Sequence, residues 1–294
     1  YMAMPVITGR KTDSERFAGA LRTYSCEALM QDNKALQAAT SHNLGQNFAR
    51  AFEVTFQTAN GDLDHVWNTS WGASTRLVGA LIMTHSDDQG LVCPPRLAQY
   101  QVVIVPIYRS TEERTTVLEA SDRLRKELIA GGIRTHLDGR EGMKPGAKYY
   151  EWEGRGVPLR IEVGPRDVAA GSVVLARRTG GKKETIPLKG IVGRLETIMD
   201  EMQSSLLQAS LARREAATLR GATKEQFIAR MDNEGGLVFG GFCGDQSCEA
   251  EIKERTKATV RVLPDPEFRS PVAPTHCLWC GKPSVAEAVW AKAY

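Results

Sequence analysis

The 294-residue sequence contains no run of about 18 uncharged apolar residues, the least that would cross a bilayer as a helix. Its N-terminus also lacks the basic segment followed by an apolar one that marks a secretory signal. No membrane partner is therefore expected, and the default compartment is the cytoplasm. Charge of one sign is scarce as well: 38 Lys plus Arg against 35 Asp plus Glu leave a net of +3, too little to argue for a nucleic-acid partner by itself. With 42% hydrophobic and 25% charged residues, disorder and collagen-like repetition are excluded, and the length suits two or three packed domains. An initiator Met is absent too. Met2 to Val6 read as the interior of a domain, so a fragment is expected.

What is present is unevenly distributed. Residues 138 to 189 hold 11 Lys or Arg and 7 Asp or Glu, whereas residues 1 to 98 hold 8 and 9, so any polyanion affinity should centre on the middle segment. Pro and Gly clusters mark the boundaries. After Cys93-Pro94-Pro95, the apolar run Gln101 to Ile107 reads as a strand. Thr111-Glu112-Glu113 opens a helix with a capping residue and two acids in its first turn, and Gly131-Gly132 closes it. Ile133 to Leu137, Val157 to Val163 and Ser172 to Ala176 read as further strands, giving a small α/β domain over 99–190. Ile191 to Leu219 has the apolar spacing of a connecting helix, and Thr223 starts a shorter one stopped by Gly235-Gly236.

Six cysteines in such a chain point to metal ligands, reactive thiols or core residues before disulfides. Cys26 and Cys93 stand alone and read as small buried hydrophobes. Cys243 and Cys248 form one close pair and Cys277 and Cys280 another, with 28 residues between them. Each pair spans one edge of a tetrahedron. Four thiolates around zinc make a closed site with no open position for substrate or water, so the site should stabilise and not catalyse. The redox alternative fits less well, because a thioredoxin-like pair opens a helix in a βαβ unit instead of adjoining a second pair. His276, beside Cys277, reads as solvent-facing.

Two N-terminal segments carry more information together than apart. Lys34 to Gly45, KALQAATSHNLG, packs polar residues between small ones and by composition alone would pass for a surface loop. Thr69 to Arg76, TSWGASTR, runs from a polar turn into an apolar helix, where Arg76 could simply snorkel to the surface. Followed by HSDDQGLVCPP at 85–95, QVVIVPIY at 101–108, VPLRIEVGPRD at 157–167, the cysteine pairs and the terminal AKAY, this order of motifs resembles prolyl-tRNA synthetase of the archaeal and eukaryotic type.

The resemblance implies a multidomain α+β and α/β protein. Residues 1–98 would be the C-terminal part of a class II synthetase core with an antiparallel sheet, 99–190 an α/β anticodon-binding domain, and 191–294 the connecting helix and a C-terminal zinc-binding domain. TSWGASTR corresponds to the third class II motif. Arg76 would contact ATP, and a planar, permanently charged guanidinium suits both adenine and phosphate. Gln37, Thr40 and Ser74 match ATP-binding positions. His42 matches one lining the proline pocket, which Trp71 and Gly72 would help to shape. The implied activity is ATP- and Mg2+-dependent formation of prolyl-adenylate and transfer of proline to tRNA(Pro), with a homodimer in the full-length protein. Arg76 would act catalytically through charge and position, since neither step needs a side-chain nucleophile.

The first two class II motifs lie outside the sequence, so activation by these 294 residues alone is not expected. A non-catalytic RNA-binding protein on a degenerate synthetase fold is the rival reading. In the middle domain the Gly-rich basic loop Gly139 to Gly146 is a candidate RNA surface. The resemblance favours Glu153, Arg160, Arg166 and Lys182 as anticodon contacts, and it brings the carboxylate of Tyr294 close to the active site.

Overall fold

The computed structural model describes residues 1–294. In chain order the N-terminal part holds strands β1 (Val6–Arg10), β2 (Arg22–Leu29) and β3 (Ala35–Gly45), helix α1 (Asn47–Ala51), strands β4 (Thr55–Gln57), β5 (Leu63–His65) and β6 (Asn68–Gly72), and helix α2 (Arg76–His85). The middle part runs β7 (Val102–Pro106), α3 (Thr111–Ala130), β8 (Thr135–Leu137), α4 (Pro145–Gly154), β9 (Leu159–Val163), α5 (Pro165–Ala170), β10 (Ser172–Arg177), β11 (Glu184–Pro187) and α6 (Ile191–Ala216). The last part holds β12 (Thr218–Arg220), α7 (Lys224–Asp232), β13 (Leu237–Phe242), α8 (Gln246–Thr256), β14 (Thr259–Pro264), a 3-10 turn at Pro266–Phe268 and β15 (Ala286–Ala291). No helix is long and apolar enough to cross a membrane.

The polar segment 35–45 is not a loop. It is the longest strand of the molecule, because Ala35, Leu36 and Ala38 bury their side chains while the polar positions stay half-exposed. Its hairpin with β2 turns through Asn33, whose φ of 61° is one that Asn tolerates better than most residues.

The chain forms two compact units: residues 1–3 with 85–210, and residues 4–84 with 211–294. The second unit is built on one eight-stranded sheet in the order β12-β13-β15-β14-β1-β2-β3-β6, so the N-terminal strands and the cysteine-bearing strands are continuous. The join is the antiparallel pairing of Gly9 with Pro264 and of Arg10 with Leu263. It needs a glycine, since a Cβ on Gly9 would lie 2.2 Å from the Leu263 carbonyl oxygen.

The first unit carries a five-stranded sheet, β11-β10-β9-β7-β8, with β7, β8 and β9 parallel and β10 and β11 antiparallel. Its α3 starts one residue earlier in capping terms than the sequence reading has it. Ser110 is the N-cap, accepting from the Glu113 amide while Glu113 accepts from the Ser110 amide. The helix read as a connector is part of this core: Ile191, Leu195, Ile198, Met199 and Met202 pack with Val102, Ile104, Leu159 and Ile161. Their three- and four-residue spacing keeps one apolar stripe against the sheet, so the core runs past residue 190.

Candidate functional site

Strand β3 supplies three of the expected site residues, and its geometry explains their spacing. Strict alternation would send Gln37 and Thr40 to opposite faces. Thr40 lies opposite Ser25 and Ala39 opposite Cys26, but Glu27 then pairs with Gln37, leaving Ala38 as an extra residue. This β-bulge re-aims the strand so that Gln37, Thr40 and His42 share one face with Thr23, Ser25 and Glu27 of β2. His42 is fixed there, with Nδ1 3.0 Å from Thr23 Oγ1 and Phe17 packed against its ring.

Across β3, β6 places Gly72 opposite Thr40, Trp71 opposite Ser41 and Ser70 opposite His42. Gly72 is therefore on the His42 face. Trp71, one residue earlier, lies on the opposite face of the strand pair and is 80% exposed. Ala73 to Thr75 then turn the chain into α2, where Arg76 is the first helical residue. Ser74 Oγ accepts the Arg76 amide at 3.3 Å. The Arg76 side chain is exposed, leaving its guanidinium accessible to an anion.

The chain end lies beside the start of the same strand. The Ala35 amide donates to the Lys292 carbonyl at 2.8 Å, Ala293 bridges to Ala35, and Lys34 sits over the Tyr294 ring at 5.1 Å. Burial and the Asp32 carboxylate raise the Tyr294 phenol to about 12.

In the α/β unit the four expected anticodon contacts separate into two kinds. Arg160 on β9 is 8% exposed and already committed: Nη1 donates to Glu153 at 2.5 Å, Nε to Glu162 at 3.2 Å, and the guanidinium lies 4.0 Å from the Tyr149 ring centre. Lys183 joins the group through Glu162 at 2.7 Å. Arg166, in the first turn of α5, and Lys182, in the β10–β11 loop, are exposed. The loop at 139–146 is anchored below by Asp138, which accepts from Arg140 at 2.9 and 2.7 Å and from Trp152 Nε1 at 2.8 Å. Burial opposes charge on Asp138, but these bonds prevail and hold its carboxyl well below the usual carboxylate range.

The four paired cysteines converge. Cys243 follows β13, Cys248 lies in the first turn of α8, and Cys277 and Cys280 flank a tight turn closed by the Gly281 amide on the Cys277 carbonyl at 3.1 Å. Their sulfurs all lie within 4.8 Å of one another, with Cys248–Cys277 at 3.8 Å and Cys243–Cys280 at 3.7 Å. Thiolates about 2.3 Å from a tetrahedral cation stand roughly 3.8 Å apart, so the cluster has the size to hold one metal ion. Burial raises the Cys277 thiol, but the amides of Cys280 and Trp279 outweigh it and bring it to about 7; burial and neighbouring thiols push Cys248 up instead. Gly241 makes room for the loop, as a Cβ there would lie 2.1 Å from the His276 carbonyl oxygen. His276 is exposed, on the rim.

Sequence reasoning missed the β3 bulge and the buried ions beside it. The only trace of the bulge is that Gln37 and Thr40 are an odd number apart.

Comparison with known proteins agrees with this architecture. Residues 101–198 match the family described as "Anticodon binding domain", and residues 224–294 match "Prolyl-tRNA synthetase, C-terminal". A chain with these two domains in this order is of the aminoacyl-tRNA synthetase class. Over its whole length it is 51% identical to a proline--tRNA ligase of Chlorobium luteolum, 48% to one of Chloroflexus aurantiacus and 45% to one of Amoebophilus asiaticus. The chain belongs to the prolyl-tRNA synthetase family. It spans about 60% of the length of these curated relatives, covering 61%, 60% and 59% of them respectively.

Proposed function

We propose that this chain carries part of the ATP- and proline-binding face, the anticodon-reading domain and a zinc-stabilised module of an enzyme that activates proline and transfers it to tRNA(Pro). The observation that carries the reading is the bulge at Ala38, which turns Gln37 onto the face of Thr40 and His42. Bulges recur next to active sites, where they re-aim a side chain.

In this reading Gln37 and Thr40 hold ATP, with Ser74 and Arg76 at its phosphates and Mg2+ accompanying the nucleotide. Attack by the proline carboxylate on the α-phosphate develops negative charge on phosphate oxygens, which the Arg76 guanidinium offsets without taking part covalently. His42 and the bare Gly72 bound the proline pocket. A small apolar pocket discriminates weakly between ligands of similar size, so misactivation of alanine or cysteine follows. The middle domain reads the anticodon, Lys182 and Arg166 from solvent and the Glu153–Arg160 pair from a preset geometry. Zinc on the four thiolates supplies folding energy and no chemistry. The parent enzyme works as a homodimer in the cytoplasm.

Two measurements test this. The purified chain should bind tRNA(Pro) in a salt-dependent manner yet give no proline-dependent pyrophosphate exchange. In a protein carrying the complete catalytic domain, Arg76→Ala should abolish most of that exchange while tRNA affinity holds. A folded Arg76→Ala enzyme with undiminished exchange would remove the ATP role, and failure to bind tRNA(Pro) would remove the RNA role.

A further inference from the structure

Beside the bulge lies an ionic cluster that this function leaves unused. Glu27, directly opposite Gln37, has a side chain only 2% exposed. Its Oε1 accepts from Lys11 at 2.9 Å and from Ser25 at 2.6 Å, and its Oε2 accepts from Arg261 Nε at 3.0 Å and Nη2 at 2.8 Å. Ser25 Oγ is also 3.5 Å from the carbonyl oxygen of Ala39, next to the extra residue. Lys11 closes the group by donating to the Arg261 carbonyl at 2.6 Å. Arg261 comes from the cysteine-bearing half of the sheet and sits at an irregularity of its own, between Val260, paired with Trp290, and Val262, paired with Val289. Two strand irregularities thus meet at one carboxylate.

Buried ions of this kind are a poor way to gain stability, since apolar residues of similar volume often replace them without loss. What two charge-assisted bonds from one planar guanidinium to a single carboxylate oxygen do supply is fixed geometry. We propose that Arg261 is a positioning residue for the nucleotide face: by gripping Glu27 it fixes the β3 bulge, and so couples the cysteine-bearing module to the placement of Gln37, Thr40 and His42. The inference rests on the reading of β3 as the ATP and proline face, and its test separates the two.

Three variants of the whole chain decide it: Arg261→Met, Arg261→Lys, and the apolar triple Lys11→Met/Glu27→Leu/Arg261→Met. Amide hydrogen exchange at 37–41 is compared with that of Val238–Phe242 in β13, and zinc content and thermal midpoint are recorded, with spectral shifts on adding MgATP to a protein carrying the complete catalytic domain. In Arg261→Met, exchange at 37–41 should quicken about tenfold or more while β13 keeps its protection and zinc is retained. Lys, a point charge without the fork, should restore part of the protection. The triple variant keeps the test valid if the single one folds poorly. It should melt near the wild-type temperature yet exchange as fast as Arg261→Met at 37–41. Wild-type protection at 37–41 in the triple variant, or loosening spread equally over β13, would overturn the positioning role. If exchange behaves as expected but MgATP moves no signal of Gln37 or Thr40 in a protein carrying the complete catalytic domain, the ATP reading falls and the positioning role stands.

Discussion

In the α/β unit every residue of β7 and β9 is buried, whereas in the eight-stranded sheet the outer strand β6 is half-exposed at Asn68 and exposed at the other four positions. The first sheet is covered on both faces by helices, as parallel sheets generally are. Burying side chains such as Ile104, Leu128 and Ile161 contributes roughly 1.5–3 kcal/mol each there. The second sheet has apolar clusters of its own, such as Phe227, Val260 and Trp290 on one side and Ile7, Phe239 and Val289 on the other, but gives one face of β2 and β3 to polar residues. There it adds long-range links: Lys11 and Glu27 to Arg261, Thr12 and Ser14 to Glu249, and the four sulfurs. The contrast teaches that the unit with the polar strand face adds directional bonds between remote parts of the chain to its apolar cores, while the α/β unit packs one large apolar core against its sheet.

The harshest way to break this asymmetry is to remove the metal. Binding energy at a tetrathiolate site is folding energy for the small module around it, about 10 kcal/mol or more in small zinc domains. About one zinc per chain is expected. Chelation, or Cys277→Ser, should lower zinc retention and open residues 223–294 to protease while the α/β unit stays resistant. Elemental analysis with limited proteolysis checks this; a metal-free protein as resistant as the loaded one would sink the structural-zinc reading.

The converse perturbation attacks apolar packing. Leu195 is fully buried against the five-stranded sheet, so Leu195→Ala should cost about 2–5 kcal/mol in that unit and leave zinc content unchanged. Thermal or urea unfolding with a probe in each unit would show whether the loss is confined.

A smaller loss sharpens the comparison, because the α/β unit has buried ionic groups of its own, Asp138 among them. Asp138 is local in sequence to its partners Arg140, Lys148 and Trp152, unlike Glu27, whose partner Arg261 is 234 residues away. Asp138→Asn should destabilise the unit by about 2 kcal/mol, the partly exposed Arg140 limiting the effect. The pH dependence has a definite sign. The folded carboxyl is held below its unfolded value of about 3.9, so its contribution is complete above that pH and is lost as pH falls below it toward the folded pKa. Acid titration of stability should accordingly be shallower in Asp138→Asn than in the wild type.

How much of this is legible in the sequence follows the same divide. The α/β strands and α3 can be read because a continuous apolar run, a capping residue and Gly131-Gly132 are local signals. The cysteine cluster can be read because the spacing of close pairs is itself the chemistry. The join of Gly9 to Pro264, the bulge at Ala38 and the pairing of Glu27 with Arg261 cannot, since each is decided by residues remote in the chain or by register. Arg160 shows the limit within one residue: charge and motif mark it as an RNA contact, but nothing local indicates that it is buried between two carboxylates.

That last point gives the mildest test, made on RNA affinity instead of stability. Lys182 is exposed, so Lys182→Ala should leave the fold intact, weaken tRNA(Pro) binding by a few-fold and reduce the salt slope by about one phosphate contact. Arg160 is tied to Glu153 and Glu162, so Arg160→Ala would leave a buried carboxylate and a half-buried one without their shared cation and lower both stability and affinity. Arg160→Lys discriminates further, since it keeps the charge but loses the fork that spans both acids. If Arg160 reads RNA through that preset geometry, Lys should restore stability more than discrimination between tRNA(Pro) and an anticodon-altered tRNA. Binding isotherms at two salt concentrations, with both tRNAs and a melting curve for each variant, separate these effects. Equal binding of the two tRNAs by the wild-type chain would instead make the domain a general RNA surface, with Arg160 serving the fold alone.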